Sequence, residues 1–440
     1  MSFSWAPVLD LCVWAVEHHP AAPIPRHETE NDLTEQWTRI EIARLLNVGF
    51  ENEENPIPVS LRNQVWAVLE PLTFDPDPTP EQEAQYRGSN MDSPTLAINT
   101  TRGEAMHAVV RYALWVYRTT ATNADDTSPP PVRQLPQEVR DVLDVHLDIT
   151  CDPSAAVHST YGQWLPSLTF LDSSWVRERL SEIFPDDPQY AYLRDAAWDT
   201  YVIFGEPYND LFKTIRNEYR KAVDRLGDSS SPIAKPENSS TRLGYHLAVL
   251  YLRGQIDLDD ELIVRFFDRA AVEVRHAMVA YIGHILRESD EISAQVIKRA
   301  QRLWIMRLAE SQTHSQPGNK ELTSFGRWFA SGKLPGAWSI EQLIHTLRLT
   351  EGKLDVGHMV FERLTEHASA YPAEAVEVVR LISNGDQEGW RLTASFDKVQ
   401  EILAASLASN ETSVKDAATA LIHHLGARGF SKLRSLLLGG

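Results

Sequence analysis

Cysteine is scarce in this 440-residue chain, which has only Cys12 and Cys151. Two thiols cannot build a disulfide framework, and neither stands in a CxxC or zinc-ligand spacing. A reducing cytoplasm is the expected setting. Long apolar runs are missing too. No stretch reaches the ~18 uninterrupted apolar residues of a membrane span, and runs such as Val109 to Tyr117 are broken by charge, here Arg111. Met1-Ser2-Phe3-Ser4-Trp5 lacks the basic segment and cleavage site of a secretory leader. Basic charge is in deficit: 42 Lys and Arg face 61 Asp and Glu, a formal charge of −19. With no basic block, neither nucleic acid as the main partner nor an anionic membrane is expected. Arg216, Arg220, Lys221 and Arg225 have the helical spacing of a solvated face.

Catalytic signatures are absent as well. There is no G-x-S-x-G elbow, no H-E-x-x-H and no kinase set. Gly326-Arg327-Trp328-Phe329-Ala330-Ser331-Gly332-Lys333-Leu334 imitates a phosphate-binding loop. Its glycines are one residue too far apart, and Leu334 replaces the metal-binding hydroxyl. The segment reads instead as a helix ending at Gly332. Among the 15 histidines, His276 and His284 share a helix face two turns apart, too far for one metal ion. His358 and Glu362 form an i, i+4 pair without further ligands. Asp257, Asp259, Asp260 and Glu261 lack the glycine and terminal glutamate of an EF-hand loop; a helix N-terminus explains them. No cofactor or metal is expected.

What is present is helical periodicity. Val414, Ala417, Ala418, Leu421, Ile422 and Leu425 form one apolar stripe. Leu262, Ile263, Phe266, Phe267 and Ala270 form a second, and Val274, Met278, Ile282, Ile285 and Leu286 a third. No alternating β-branched run is long enough for a sheet. Asp259, Ser339 and Asp355 are the expected N-caps. Polar segments at 119–136, 227–240 and 311–319 read as loops. They separate helical blocks at 1–120, 137–226, 241–310 and 320–440, taken together as one continuous solenoid. In the last block Val356–Tyr371 pairs with Ala373–Ile382, and Phe396–Leu407 with Val414–Leu425. Leu381-Ile382 and Leu421-Ile422 are 40 residues apart, the period of HEAT and armadillo-like pairs. The expected fold is all-α, a helical-repeat α-solenoid, with a compact multi-helix bundle as the alternative.

Ser324-Phe325-Gly326-Arg327-Trp328-Phe329-Ala330-Ser331-Gly332-Lys333 precedes Trp338-Ser339-Ile340-Glu341-Gln342-Leu343. Tyr371-Pro372-Ala373-Glu374-Ala375-Val376, Asp386-Gln387-Glu388-Gly389-Trp390 and Leu425-Gly426-Ala427-Arg428-Gly429-Phe430 follow. This series, spanning 324–437, resembles the C-terminal helical regions of large bacterial antiviral-defence proteins, as does 93–105, Ser93 to Ala105. Those proteins carry a STAND NTPase, or a sirtuin-like or nuclease effector, upstream. The matching motifs are structural, so no active-site residue is carried over. The resemblance implies a non-catalytic, protein-binding sensor arm of a larger antiphage-defence protein. Its partner would be a phage or host polypeptide, or other domains of the assembly. A structural linker or adaptor, or an enzyme with a metal-dependent hydrolase site outside any motif, is the alternative. If a recognition face exists, Arg327, Trp328, Trp338 and Trp390 are its first candidates, with core packing as the competing role for each.

Overall fold

The computed structural model describes residues 4–18, 37–86, 92–122, 133–227, 236–313 and 320–438. They are helical, with no strand among them. The chain divides into two units, 1–218 with 230–239 and 219–229 with 240–440.

The first unit contains α1 (Trp5–His18), α2 (Trp37–Glu51), α3 (Arg62–Thr73), α4 (Pro80–Tyr86), α5 (Ser93–Ile98) and α6 (Thr101–Thr122). It continues with α7 (Gln137–Leu147), α8 (Ala155–Glu178), α9 (Leu180–Ile183), α10 (Ala191–Phe204) and most of α11 (Asn209–Asp224). α6 lies at its centre, packed on α2, α3, α5 and α8. From Thr101 to Ala113 every residue except Arg102 and Arg111 is buried, which is why this stretch lacks a polar face. α8 and α10 meet at Gly162, where a Cβ would sit 1.9 Å from the Ala197 carbonyl oxygen. Within α8, Asp172 leaves helical geometry at φ −154°, ψ 84°. Its carboxylate accepts from Trp175 N at 3.0 Å and restarts the helix as an N-cap does.

The second unit holds most of α12 (Pro236–Leu252), α13 (Glu261–Arg269), α14 (Val272–Glu288), α15 (Ala294–Thr313), α16 (Lys320–Thr323) and α17 (Phe325–Ala330). α18 (Gly336–Leu349), α19 (Gly357–His367), α20 (Pro372–Gly385), α21 (Trp390–Ala394), α22 (Phe396–Leu407) and α23 (Thr412–Ala427) follow. Here helices pack on neighbours two or three elements along: α15 on α18, α17 on α19, α18 on α20, α20 on α22 and α23. The predicted stripes face inward except at Ala417, which is exposed, and Ile285, which is half-buried. Leu262, Ile263, Phe266 and Phe267 are buried in α13, and Val274, Met278, Ile282 and Leu286 in α14. Val414, Ala418, Leu421, Ile422 and Leu425 are buried in α23. Leu381-Ile382 and Leu421-Ile422 are buried pairs on α20 and α23.

Some local expectations need correction. Asp260, not Asp259, caps α13, accepting from Leu262 N at 3.0 Å. Ser339 lies inside α18, which starts after Pro335. Asp355 precedes the true cap, Val356, and spends its carboxylate on distant partners. Three expected loop edges are helical: α12 already runs at Pro236, α6 continues to Thr122 and α15 to Thr313. Pro129-Pro130-Pro131 lies outside the described residues.

Arginine closes helix ends throughout. Arg39 donates to Val16 O and Pro71 O, at the ends of α1 and α3. Arg118 reaches Phe50 O of α2 at 2.8 Å, and Arg275 reaches Phe267 O and Ala270 O after α13. Arg299 holds Tyr251 O, and Arg428 holds Ser383 O and Asp386 O at the end of α20. The last carbonyls of a helix lack intrahelical donors and carry the negative end of its dipole, so a forked cation suits them. Basic residues accordingly comprise 32 Arg against 10 Lys, with no lysine before Lys213. Charge is also unequal: the first unit carries 16 basic and 35 acidic residues, the second 26 of each.

Candidate functional site: an aromatic knot and a charged cleft

Residues 324–338 place three of the four sequence candidates in or beside one knot. Trp304 of α15 stacks on Phe325 at 4.8 Å and meets Trp328 and Trp338 edge-on at 5.8 and 5.5 Å. Trp328 is fully buried and donates its indole N–H to Val279 O at 2.8 Å. Truncation to alanine would cost about 3–5 kcal/mol, the usual range for a buried tryptophan. The surrounding aromatics make it a core anchor, and Trp338, half-buried, flanks it. Arg327 turns away, its Nε 3.5 Å from Asp355 Oδ2. Trp390 stands apart on α21, 72% exposed, its indole donating to Glu388 Oε2 at 2.6 Å. It is the one candidate of the four whose ring is mostly in solvent.

Asp355 is a hub. It accepts from His276 Nε2 at 2.9 Å, Thr323 Oγ1 at 2.9 Å and Ser324 Oγ at 3.4 Å. Burial opposes its charge, but the His276 hydrogen bond and charge, Thr323 and Arg327 outweigh it and bring the carboxyl down to about 2. The serine bonds the aspartate and the His276 carbonyl, not the imidazole, so no nucleophile–base pair is formed. His284 is exposed on the same helix, near Glu288 at 3.9 Å. Among the described residues no three His, Cys, Asp or Glu side chains are grouped to hold a metal ion.

The phosphate-loop imitation resolves as a helix end. α17 stops at Ala330, Gly332 adopts φ +70°, and Lys333 Nζ donates to Asp290 O. The acidic run is consumed locally: Asp257 pairs with Arg302 at 3.1 Å, Asp260 caps, and Glu261 faces Arg265.

Sequence reasoning missed a solvent-open cleft of about 370 Å³ in the first unit, lined by Arg62, Asn63, Trp66, Tyr112 and Glu138. Tyr112, at its back, donates to Glu138 Oε1 at 2.9 Å and accepts from Arg62 Nε at 3.0 Å. Arg62 Nη2 also bonds Oε1. Burial would raise the Glu138 carboxyl, but these donors hold it below its ordinary value. Burial raises the Tyr112 hydroxyl. Trp66 lies 5.0 Å from the Tyr112 ring. The sole local signal was Arg62 and Trp66 at i, i+4; Glu138 is 76 residues from Arg62. A second buried cluster is architectural: Glu83 receives Ser154 Oγ, Ala155 N and Ala156 N at the start of α8, and Asp77 receives Thr101 N at the start of α6.

No protein-family model, no curated protein and no solved structure matches this chain. No helix among the described residues is long and apolar enough to cross a membrane.

Proposed function

We propose that this chain is a non-catalytic, protein-binding helical scaffold of the cytoplasm whose second unit is a helical-repeat solenoid. The observation that carries the reading is the packing of helices from α15 to α23 on neighbours two or three elements along, with the Leu381-Ile382 and Leu421-Ile422 pairs 40 residues apart. A pair that buries one face on its neighbours leaves another for a partner. Trp390 is the anchor on that surface, because a large exposed aromatic is the commonest source of binding energy at a protein interface. The buried ionic groups of this unit support the reading, since they are spent on helix ends and on one another. The narrower role, the recognition arm of a larger bacterial antiphage-defence protein, rests on the resemblance of 93–105 and 324–437.

The test uses tagged wild-type and Trp390→Ala chains passed through lysates of phage-infected and uninfected bacteria. One polypeptide retained at stoichiometric level by the wild type and lost from Trp390→Ala supports the reading. Retention of nothing from either lysate overturns it. An antibody blot separates an arm from a stand-alone adaptor. The arm requires a band far above the 49.7 kDa of this chain.

A further inference from the structure

The cleft between α3, α6 and α7 has features that no structural role uses. Glu138 Oε1 takes all three side-chain donors, Arg62 Nε, Arg62 Nη2 and Tyr112 OH, and no side-chain donor reaches Oε2. The Glu138 backbone N–H also bonds the carboxylate, and with about four lone-pair sites in all, Oε2 keeps room for a further donor. Trp66 is half-buried, with one face toward Tyr112 and no hydrogen bond to its indole nitrogen. The exposed Asn63 amide adds an acceptor at the rim.

We propose that this cleft is a socket for one arginine side chain of a partner polypeptide, the guanidinium lying on the Trp66 indole and pairing with Glu138 Oε2. The proposal rests on the protein-binding reading and supplies its chemistry. Tryptophan is the strongest aromatic partner of a cation, and a planar guanidinium can stack and hydrogen-bond at once where an ammonium cannot. Arg62 does not fill the role itself. It is tied to the Oε1 side by Tyr112 and Glu138, so it orients the carboxylate and leaves the second oxygen without a side-chain donor. Charge complementarity selects a cation over an anion: the unit bearing the cleft has 35 acidic residues against 16 basic ones. Such a field raises the encounter rate of a basic segment and repels phosphates or acidic peptides.

The probe is a fluorescein-labelled, acetylated twelve-residue peptide of Gly and Ser with four arginines, titrated with the full chain and read by anisotropy. Its companions carry lysine, or citrulline, the neutral near-isostere, at the same positions. The arginine peptide is expected to bind at least tenfold more tightly than the citrulline peptide and about fivefold more tightly than the lysine one. Trp66→Leu and Glu138→Gln should each weaken it about tenfold, while Ile305→Ser on α15 leaves it unchanged. Equal binding of arginine and citrulline peptides to the wild type overturns the socket without relying on any variant's folding. Equal binding of arginine and lysine peptides, undiminished in both cleft variants, overturns it in favour of a diffuse acidic attraction. If a lysate partner is captured and both cleft variants keep it, the socket alone falls. If no partner and no peptide binds, the protein-binding reading falls with it.

Discussion

Replacing Glu321 by leucine exposes how the second unit carries charge in its interior. Glu321 is fully buried and holds Arg307 through Nε at 2.5 Å and Nη2 at 3.1 Å, with Arg275 Nε at 2.9 Å. The Arg307 side chain is 7% exposed and its guanidinium lies 4.1 Å over the Phe267 ring, so it cannot swing into water without losing that packing. Deleting one partner of a buried pair costs about 3–5 kcal/mol, mostly the penalty of the stranded charge. Arg307 keeps Glu310, which is half-exposed, so the lower end of that range applies: about 3 kcal/mol for Glu321→Leu. The double change Arg307→Met with Glu321→Leu removes the stranded charge and should recover at least half of this loss. Arg275, at 21% exposure, can rehydrate. Urea unfolding of the second-unit transition, followed through Trp304 and Trp328 emission, gives both values from the midpoint shift. A double variant as unstable as Glu321→Leu alone would refute the reasoning, because the cost would then be lost packing rather than uncompensated charge.

Other perturbations test separate links. Gly162→Ala places a methyl against the Ala197 carbonyl of a neighbouring helix backbone, so the first unit should lose about 3 kcal/mol or more in urea unfolding read through its own tryptophans, such as Trp175 and Trp198. Burial, then the charge of Arg111, lowers His107 from 6.5 to about 3. The unfolded chain therefore takes up that proton first, and first-unit stability should fall as pH drops from about 6.5 toward 3, by up to about 1.4 kcal/mol per unit. His107→Gln should flatten that slope. Asp355 has the same dependence from a different origin, since its folded value lies below the usual 3.8. Its contribution is present above about pH 4 and lost as pH falls through about 2. After allowing for its partly exposed setting this is roughly 1 kcal/mol, and it should vanish from the acid titration of Asp355→Asn.

The all-helical class was legible because apolar stripes repeat at the helical period, and the boundaries of α20, α22 and α23 fell within a few residues of expectation. Caps were less legible. Asp259 and Asp260 are equally suited by type, and only backbone geometry decides which one turns the chain. Ser339 sits one turn inside α18 because Pro335 already supplies the extended entry. The recognition candidates divided on a tertiary fact: Trp328 and Trp390 look alike in sequence, but only Trp328 is met by Trp304, a residue 24 positions earlier. The cleft was invisible for the same reason. Arg62, Tyr112 and Glu138 lie on three helices, and nothing local links them.

The arginine bias has a chemical consequence. Residues 1–212 carry no lysine, and the first unit has only Lys213 and Lys235. Acetylation, ubiquitin-type conjugation and amine-reactive crosslinking find almost no side-chain target there. The negative field of that unit is thus insulated from the commonest reversible modification of basic residues. A lysine-specific protease would leave residues 1–213 as one piece, while a trypsin-like enzyme meets an arginine on α2, α3, α6, α7, α8, α10 and α11. Paired digests would therefore report which helix ends open first, with arginine as the sole reporter over those 212 residues.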